Sequence, residues 1–491
     1  MKLFAWIGGL FRGLWLVLFP MFASAGTPSG RAGIIRILRA LLLVAILVVL
    51  WLLSRAFELE RFVRAPFLIL RTVWLPLLFV LFYGLCWLGA ALWRQLGPER
   101  LSDEFPEIDQ AWQEARDALA EASIDLTEPP LFLILGRPAG GEKSFFNAAQ
   151  IRLQVKQVPR NADSPLTISA NQDGIFVTFA ASLLGRFAEL LPAEPDVSGS
   201  APTRPATSAD DDAALSVRSR SVLLKDAEDA ERCLARLRHF CQLIARDRQP
   251  FCPINGLVIL IPFAATCDDA RTKEAASLCN RDLAAARESL AVNCPIFAVV
   301  CDFEHAFGFR EFLEFYPEGQ RRRLLGQTWP LTPELDAQGR VRMIEKGVQW
   351  ISEVLFPSLV YKNWKLESIE GGDAIEATAR NINLYRFLWD QRARGERLAR
   401  ILTRSVSLQS GATPMLGACG FVATGRDLVR EQGFASAFFR MLAENQNHLE
   451  WMTDALELDR SYHRWTRLGY IGLGVAIMCL VLITGAFWGM G

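Results

Sequence analysis

Residues 131–146 read Leu-Phe-Leu-Ile-Leu-Gly-Arg-Pro-Ala-Gly-Gly-Glu-Lys-Ser-Phe-Phe. Five apolar residues make a buried strand, and a Gly-rich turn then leads into a helix, the layout of a phosphate-binding loop. The pattern such a loop needs is G-x-x-x-x-G-K-[ST]. Gly136 and Gly141 stand at its spacing, but Glu142 fills the lysine slot and displaces Lys143 and Ser144 by one residue. A carboxylate there repels the anion that the helix N-terminus would otherwise attract. The plainer alternative is an ordinary strand-to-helix turn rich in glycine.

Upstream, Phe105, Ile108, Trp112, Ala115 and Leu119 recur at helical spacing and predict a helix over 103–122. Downstream, Ile168 and the run 174–179 predict a hairpin whose second strand holds Ile175 to Phe179. Residues 192–214 are rich in Pro, Ser, Ala and Thr and close on Asp210, Asp211 and Asp212, the composition of a disordered insertion. An amphipathic helix over 223–245 follows, with Ala230, Cys233, Leu234, Leu237, Phe240, Cys241 and Ile244 on one side. Strands over 257–263 and 296–301 flank a helix over 270–292. Strands apolar throughout and separated by helices predict a parallel sheet covered on both faces. From residue 357 the strand signal fades into helices over 382–403 and 435–458, with 416–423 as a short strand against that bundle.

The chain has 491 residues with 53 basic and 53 acidic side chains, a balance that gives no reason to expect nucleic acid. Residues 72–93 and 468–491 carry no charge, and 34–53 form a third apolar run with Arg36 and Arg39 near its start. Each has the length to cross a hydrocarbon core of roughly 30 Å, so three transmembrane helices are expected. Arg464 and Arg467 before the last run place the region between the second and third runs in the cytoplasm. Residues 1–33 read either as an uncleaved interfacial segment, with Phe4, Trp6, Phe11 and Trp15, or as a secretory signal ending at Ala23-Ser24-Ala25. No run carries a central charge, which speaks against a transporter. Gly469, Gly472, Gly474, Gly485 and Gly489 permit close helix packing in the last run, or reflect only how common glycine is in such segments. No C-x-x-C pair occurs and there are four histidines, which argues against a zinc site. Cys233, Cys241, Cys252, Cys267, Cys279, Cys294 and Cys301 read as small buried hydrophobes in a reducing compartment.

The order of these parts resembles the IcmF/TssM family, the inner-membrane component of type VI secretion systems. Pro253-Ile254-Asn255-Gly256 is similar to the family's P-[IV]-N-G, and Gly308-Phe309-Arg310-Glu311-Phe312 to its G-F-x-E-F. Residues 417–425 and 444–447 show a looser likeness. The resemblance implies a membrane-anchored α/β architecture. It comprises a segment 1–33, a transmembrane hairpin 34–93, a GTPase-like P-loop domain 94–356, a helical extension 357–467 and a last span 468–491. It also implies a multi-pass protein of the bacterial inner membrane with its main domain in the cytoplasm. The family's long periplasmic part is expected to be missing.

The departures from the family are chemical. Glu142 stands where the loop lysine belongs, and Phe179 stands where the family's D-T-A-G-R supplies the metal-side acid. Cys301-Asp302-Phe303-Glu304 replaces [NT]-K-x-D, keeping an acid at Glu304 but putting Asp302 in place of lysine. Phosphoryl transfer needs charge and position from all three elements, so a non-enzymatic scaffold, a pseudo-NTPase without a cofactor, is expected. Gly136, Gly141, Lys143, Ser144 and Glu304 remain as degenerate nucleotide-binding residues. The alternative is a membrane-bound NTPase or nucleotide sensor that takes GTP or ATP through an atypical loop. Expected partners are other inner-membrane proteins of a secretion-like complex and a second copy of the chain. Arg321-Arg322-Arg323 reads as a solvated helix end or as a contact for anionic lipid or an acidic partner.

Overall fold

A computed structural model describes residues 32–57, 68–96, 104–161, 164–191, 227–314, 316, 319–331, 336–370, 374–407, 415–425, 427 and 431–488. The expected interfacial segment 1–33 and the insertion 192–214 fall almost wholly or wholly outside them. The chain divides into two compact units, one of residues 1–100 with 456–491 and the other of residues 101–455.

In the first unit, α1 (Ala32–Ala56) packs against α2 (Leu68–Leu96), and most of α13 (Thr453–Trp488) belongs here. The expectation of three transmembrane helices is corrected: among the described residues, no helix is long and apolar enough to cross a membrane. α1 carries Arg36, Arg39 and Arg55, and α2 carries Arg71 and Arg94 with Pro76 inside it. The first half of α13 carries Asp454, Glu457, Asp459, Arg460, Arg464 and Arg467. The multi-pass inner-membrane placement rested on those spans and falls with them.

The second unit is built on one sheet. In chain order its elements begin with α3 (Pro106–Glu121), β1 (Leu131–Leu135), α4 (Glu142–Ala149), β2 (Val155–Val158), β3 (Leu166–Asn171), β4 (Gly174–Phe179) and α5 (Leu183–Leu190). Then come α6 (Ala227–Asp247), β5 (Gly256–Pro262), α7 (Asp269–Leu290), β6 (Val292–Asn293), β7 (Pro295–Cys301), α8 (Phe309–Glu314) and β8 (Gly326–Thr328). The last are α9 (Ala337–Trp350), α10 (Phe356–Glu370), α11 (Ala374–Ser407), β9 (Met415–Phe421), β10 (Ala423–Thr424), β11 (Gln432–Gly433), α12 (Ala435–Glu444) and β12 (Glu450–Trp451).

Eight strands pair in the order β2-β3-β4-β1-β5-β7-β9-β8. The five from β4 to β9 are parallel, and β2, β3 and β8 are added antiparallel. The chain leaves β1 towards β2, β3 and β4 on one side, then returns past it to β5 and β7 on the other. A ligand crevice in an open α/β sheet lies at such a reversal, beyond the carboxyl ends of the strands. The loop 136–141 is therefore where the topology puts a binding site.

β1 is buried along its whole length. Leu131, Leu133 and Leu135 face a core layer shared with Trp112 of α3, Phe240 of α6 and Leu283 of α7. Phe132 and Ile134 face the other layer, with Phe145 and Phe146 of α4 and Phe438 and Phe439 of α12. Both faces being covered explains why the strand reads apolar without alternation. The expected helical face of α6 is buried as read from the sequence.

β9 was expected to pack on a helical bundle. It instead runs parallel to β7 inside the main sheet, from Pro295↔Met415 to Val300↔Phe421. A seven-residue apolar strand with small Gly417, Ala418, Cys419 and Gly420 fits a sheet buried on both faces, and its neighbours in sequence gave no sign of that partner. A π-helical turn, Ile351–Leu355, joins α9 to α10. Pro357 follows at once; it has no amide to donate, and its ring crowds the carbonyl four residues back, which the wider turn relieves.

Candidate functional site

The loop after β1 is drawn tight by its surroundings. Gly136 has φ 104°, and a β-carbon there would stand 2.8 Å from the Leu260 carbonyl oxygen. Only glycine fits that combination of left-handed backbone and close approach. The Gly136 amide donates to Ser182 Oγ at 3.2 Å. Ser182 also caps α5, accepting from the Gly185 amide at 3.1 Å. The Gly141 amide donates to the Pro138 carbonyl at 2.9 Å, and Ser144 Oγ donates to the Gly141 carbonyl at 2.9 Å.

The amide of Ala139 is the informative one. It donates to Asp302 Oδ1 at 2.8 Å. Asp302 follows β7, is 4% exposed and adopts φ 63°, a left-handed conformation that aspartate tolerates better than most residues. That turn brings its carboxylate to an amide of the phosphate-like loop. Where the resemblance places a lysine, the chain has an internal anion bonded to the loop.

Glu304 lies two residues on. Thr424, fully buried on β10, serves both acids. Its amide donates to Glu304 Oε2 at 2.8 Å, and its Oγ1 lies 3.1 Å from Asp302 Oδ1 and 3.4 Å from Glu304 Oε1. Burial, with the neighbouring Asp302 charge and then Glu431, pushes the Glu304 carboxyl up to about 8. Burial also raises Asp302, against the pull of the Ala139 amide, Cys301, His305 and Thr424. A β-carbon on Gly140 would come 2.8 Å from the Thr424 carbonyl oxygen, so the loop lies directly on β10. Phe303, between the two acids, turns the other way into a cluster of rings with Phe263, Phe309, Phe356, Phe387 and Phe421.

The remaining expected site residues do not converge on the loop. Lys143 is exposed, beside the buried Ser144, Phe145 and Phe146 of α4. Glu142 accepts from Thr167 Oγ1 on β3, and burial raises its carboxyl despite that bond. Phe179 is fully buried and stacked on Phe240 with ring centroids 5.1 Å apart, deep in the core rather than at the crevice. Gly136, Gly141 and Ser144 hold the loop's shape, and Glu304 is bonded to Thr424. These residues do not fit a nucleoside triphosphate. The loop amide at Ala139 is taken by an acid, the lysine is exposed to solvent, and a phenyl ring stands where the resemblance places the metal-side acid. Among the described residues no group of three or more His, Cys, Asp or Glu is arranged to hold a metal ion.

Sequence reading missed Ser182, Asp282 and Thr424. Asp282 of α7 is 1% exposed and accepts from the Leu183 and Leu184 amides at 3.1 and 2.9 Å, so the open end of α5 also receives an internal carboxylate. Burial pushes this carboxyl up to about 7, outweighing those two amides and Arg281, which pull it down. Ser182 before an apolar run carried a helix-start signal. Asp282 stood out as an acid among Cys279, Leu283 and Ala286 on an apolar face. Thr424 carried no signal.

The family-like motifs prove structural in their contacts. Asn255 accepts from the Leu131 amide at 3.0 Å and donates to the Gln446 carbonyl at 3.2 Å, tying β1 to the chain after α12. Phe309 and Phe312 enter the ring cluster, Glu311 bonds Asn383 of α11 at 2.5 Å, and Arg310 pairs with Glu431 at 3.2 Å. Among the described residues the cysteines form no disulfide; Cys233, Cys241, Cys279, Cys294 and Cys301 are buried, while Cys252 and Cys267 are half-buried.

Residues 231–357 match the family model of the IcmF-related N-terminal domain. The match runs from α6 through β5, β7 and α8 to Pro357, and does not include β1 or its loop. No curated protein and no solved structure matches the chain.

Proposed function

We propose that this chain, IcmF-related across residues 231–357, is a non-enzymatic scaffold: a nucleotide-binding-like sheet kept for assembly after its nucleotide chemistry was lost. The observation that supports this most is the 2.8 Å bond from the Ala139 amide to Asp302. A loop whose amide is already paired to a tethered carboxylate gains little by exchanging it for a phosphate. It would also bring a polyanion towards Asp302 and Glu142. The family relationship makes other components of a type VI secretion-like complex the natural partners, with self-association as a further contact.

Titration of the full chain with GTP and ATP, with and without Mg²⁺, tests the reading. No saturable binding is expected. Micromolar binding abolished by Lys143→Ala would establish instead a nucleotide-binding protein working through a bulged loop.

A further inference from the structure

We propose that the loop 136–141 is held closed by a proton-linked latch formed by Asp302, Thr424 and Glu304. A hydroxyl carries one hydrogen. Thr424 Oγ1 lies within hydrogen-bond distance of Asp302 Oδ1 and Glu304 Oε1, at 3.1 and 3.4 Å, so one hydrogen serves two acids. The set is fully bonded only when one carboxyl supplies a second. A protonated Glu304 donates to Thr424 Oγ1, which donates to Asp302, whose Oδ1 also takes the Ala139 amide at 2.8 Å. Loss of that proton to solvent leaves two carboxylates facing one hydroxyl hydrogen. Their repulsion then acts on the contact that ties the loop to β7 and β10.

Among the described residues, the surrounding charges do not supply a replacement. From the loop and α4, Arg137 pairs with Glu189 at 3.3 Å, Glu142 is bonded to Thr167, and Lys143 is exposed. Beyond β7, His305 pulls the Asp302 carboxyl down, and Cys301 Sγ lies 3.4 Å from Asp302 Oδ2. From the chain before β11, Glu431 adds negative charge towards Glu304, and Arg310 of α8 is paired with that Glu431. The latch rests on the closed loop of the preceding section but not on its failure to bind nucleotide.

Amide hydrogen exchange on the full chain across neutral to alkaline pH, corrected for intrinsic base catalysis, tests it. Protection at neutral pH reports the closed loop, and its pH dependence reports the latch. Protection at Ala139 is expected to fall by up to about tenfold per pH unit as pH rises from neutral towards the Glu304 titration at about 8 and to level off above it, while β5 stays protected. Glu304→Gln, which keeps a donor without a charge, is expected to hold the loop protected throughout. Thr424→Val, which deletes the shared hydroxyl, is expected to lower protection already at neutral pH and remove its pH dependence. Constant protection in the unaltered chain, loss in parallel with β5, or an unchanged pH response in either variant overturns the latch.

Discussion

The Ala139 amide and the Asp302 carboxylate, 2.8 Å apart, join the loop after β1 to the turn after β7 across the intervening strand β5. In a phosphate-binding loop that amide faces a ligand. Here it faces a side chain held in place by its own backbone turn. Asp302→Ala leaves the amide without its acceptor and is expected to destabilise the fold by about 1.5–3 kcal/mol. Asp302→Asn keeps an acceptor oxygen and is expected to cost less. Denaturant midpoints of the two variants, at unchanged slope, check the order; equal costs would mean that the bond contributes nothing.

Asp282 sets a pH dependence of stability. Its carboxyl is raised from the ordinary 3.8 to about 7, chiefly by burial. The folded chain therefore holds a proton that the unfolded chain releases. The stability this gives is complete below the unfolded value and is lost as pH rises through about 7. Asp282→Asn is expected to flatten that part of the profile and to lower its acid plateau, because the amide accepts only one of the two α5 amides well. A profile whose slope in this range is unchanged by the substitution would exclude Asp282 as its source.

Phe179 marks a loss that one substitution does not reverse. Phe179→Asp restores the acid of the family's motif but deletes a stacked ring and buries a carboxylate beside Phe240. A cost of at least about 3–5 kcal/mol is expected. Thermal melting measures it, and phosphate release is expected to stay at background. A variant of normal stability that hydrolyses GTP or ATP would contradict the assignment of this position to the core.

Ser182 caps α5 and binds Gly136 at once. Ser182→Ala is expected to cost about 0.5–2 kcal/mol and to increase exchange at Gly136. A loss of stability with Gly136 exchange unchanged would leave only the capping role.

Much of the sheet was legible because its strands are buried on both faces and therefore apolar throughout, as β1, β5 and β7 are. β9 was legible as a strand but not as a neighbour of β7, since pairing between residues more than a hundred positions apart leaves no local trace. The membrane reading rested on hydropathy alone, and among the described residues no helix is long and apolar enough to cross a membrane. At the loop, the wrong charge at Glu142 and the missing acid at Phe179 were visible residue by residue. That Asp302 bonds the loop was not, because it depends on a left-handed turn at φ 63° and on Thr424 from a distant strand.

Hydrogen exchange at the Ala139 amide at neutral pH, with and without saturating GTP or ATP and Mg²⁺, tests the closed loop most directly. The predicted result is an amide protected in the free chain and unchanged by nucleotide, with protection lost in Asp302→Ala. An amide that exchanges freely until nucleotide is added, and is then protected, would contradict it.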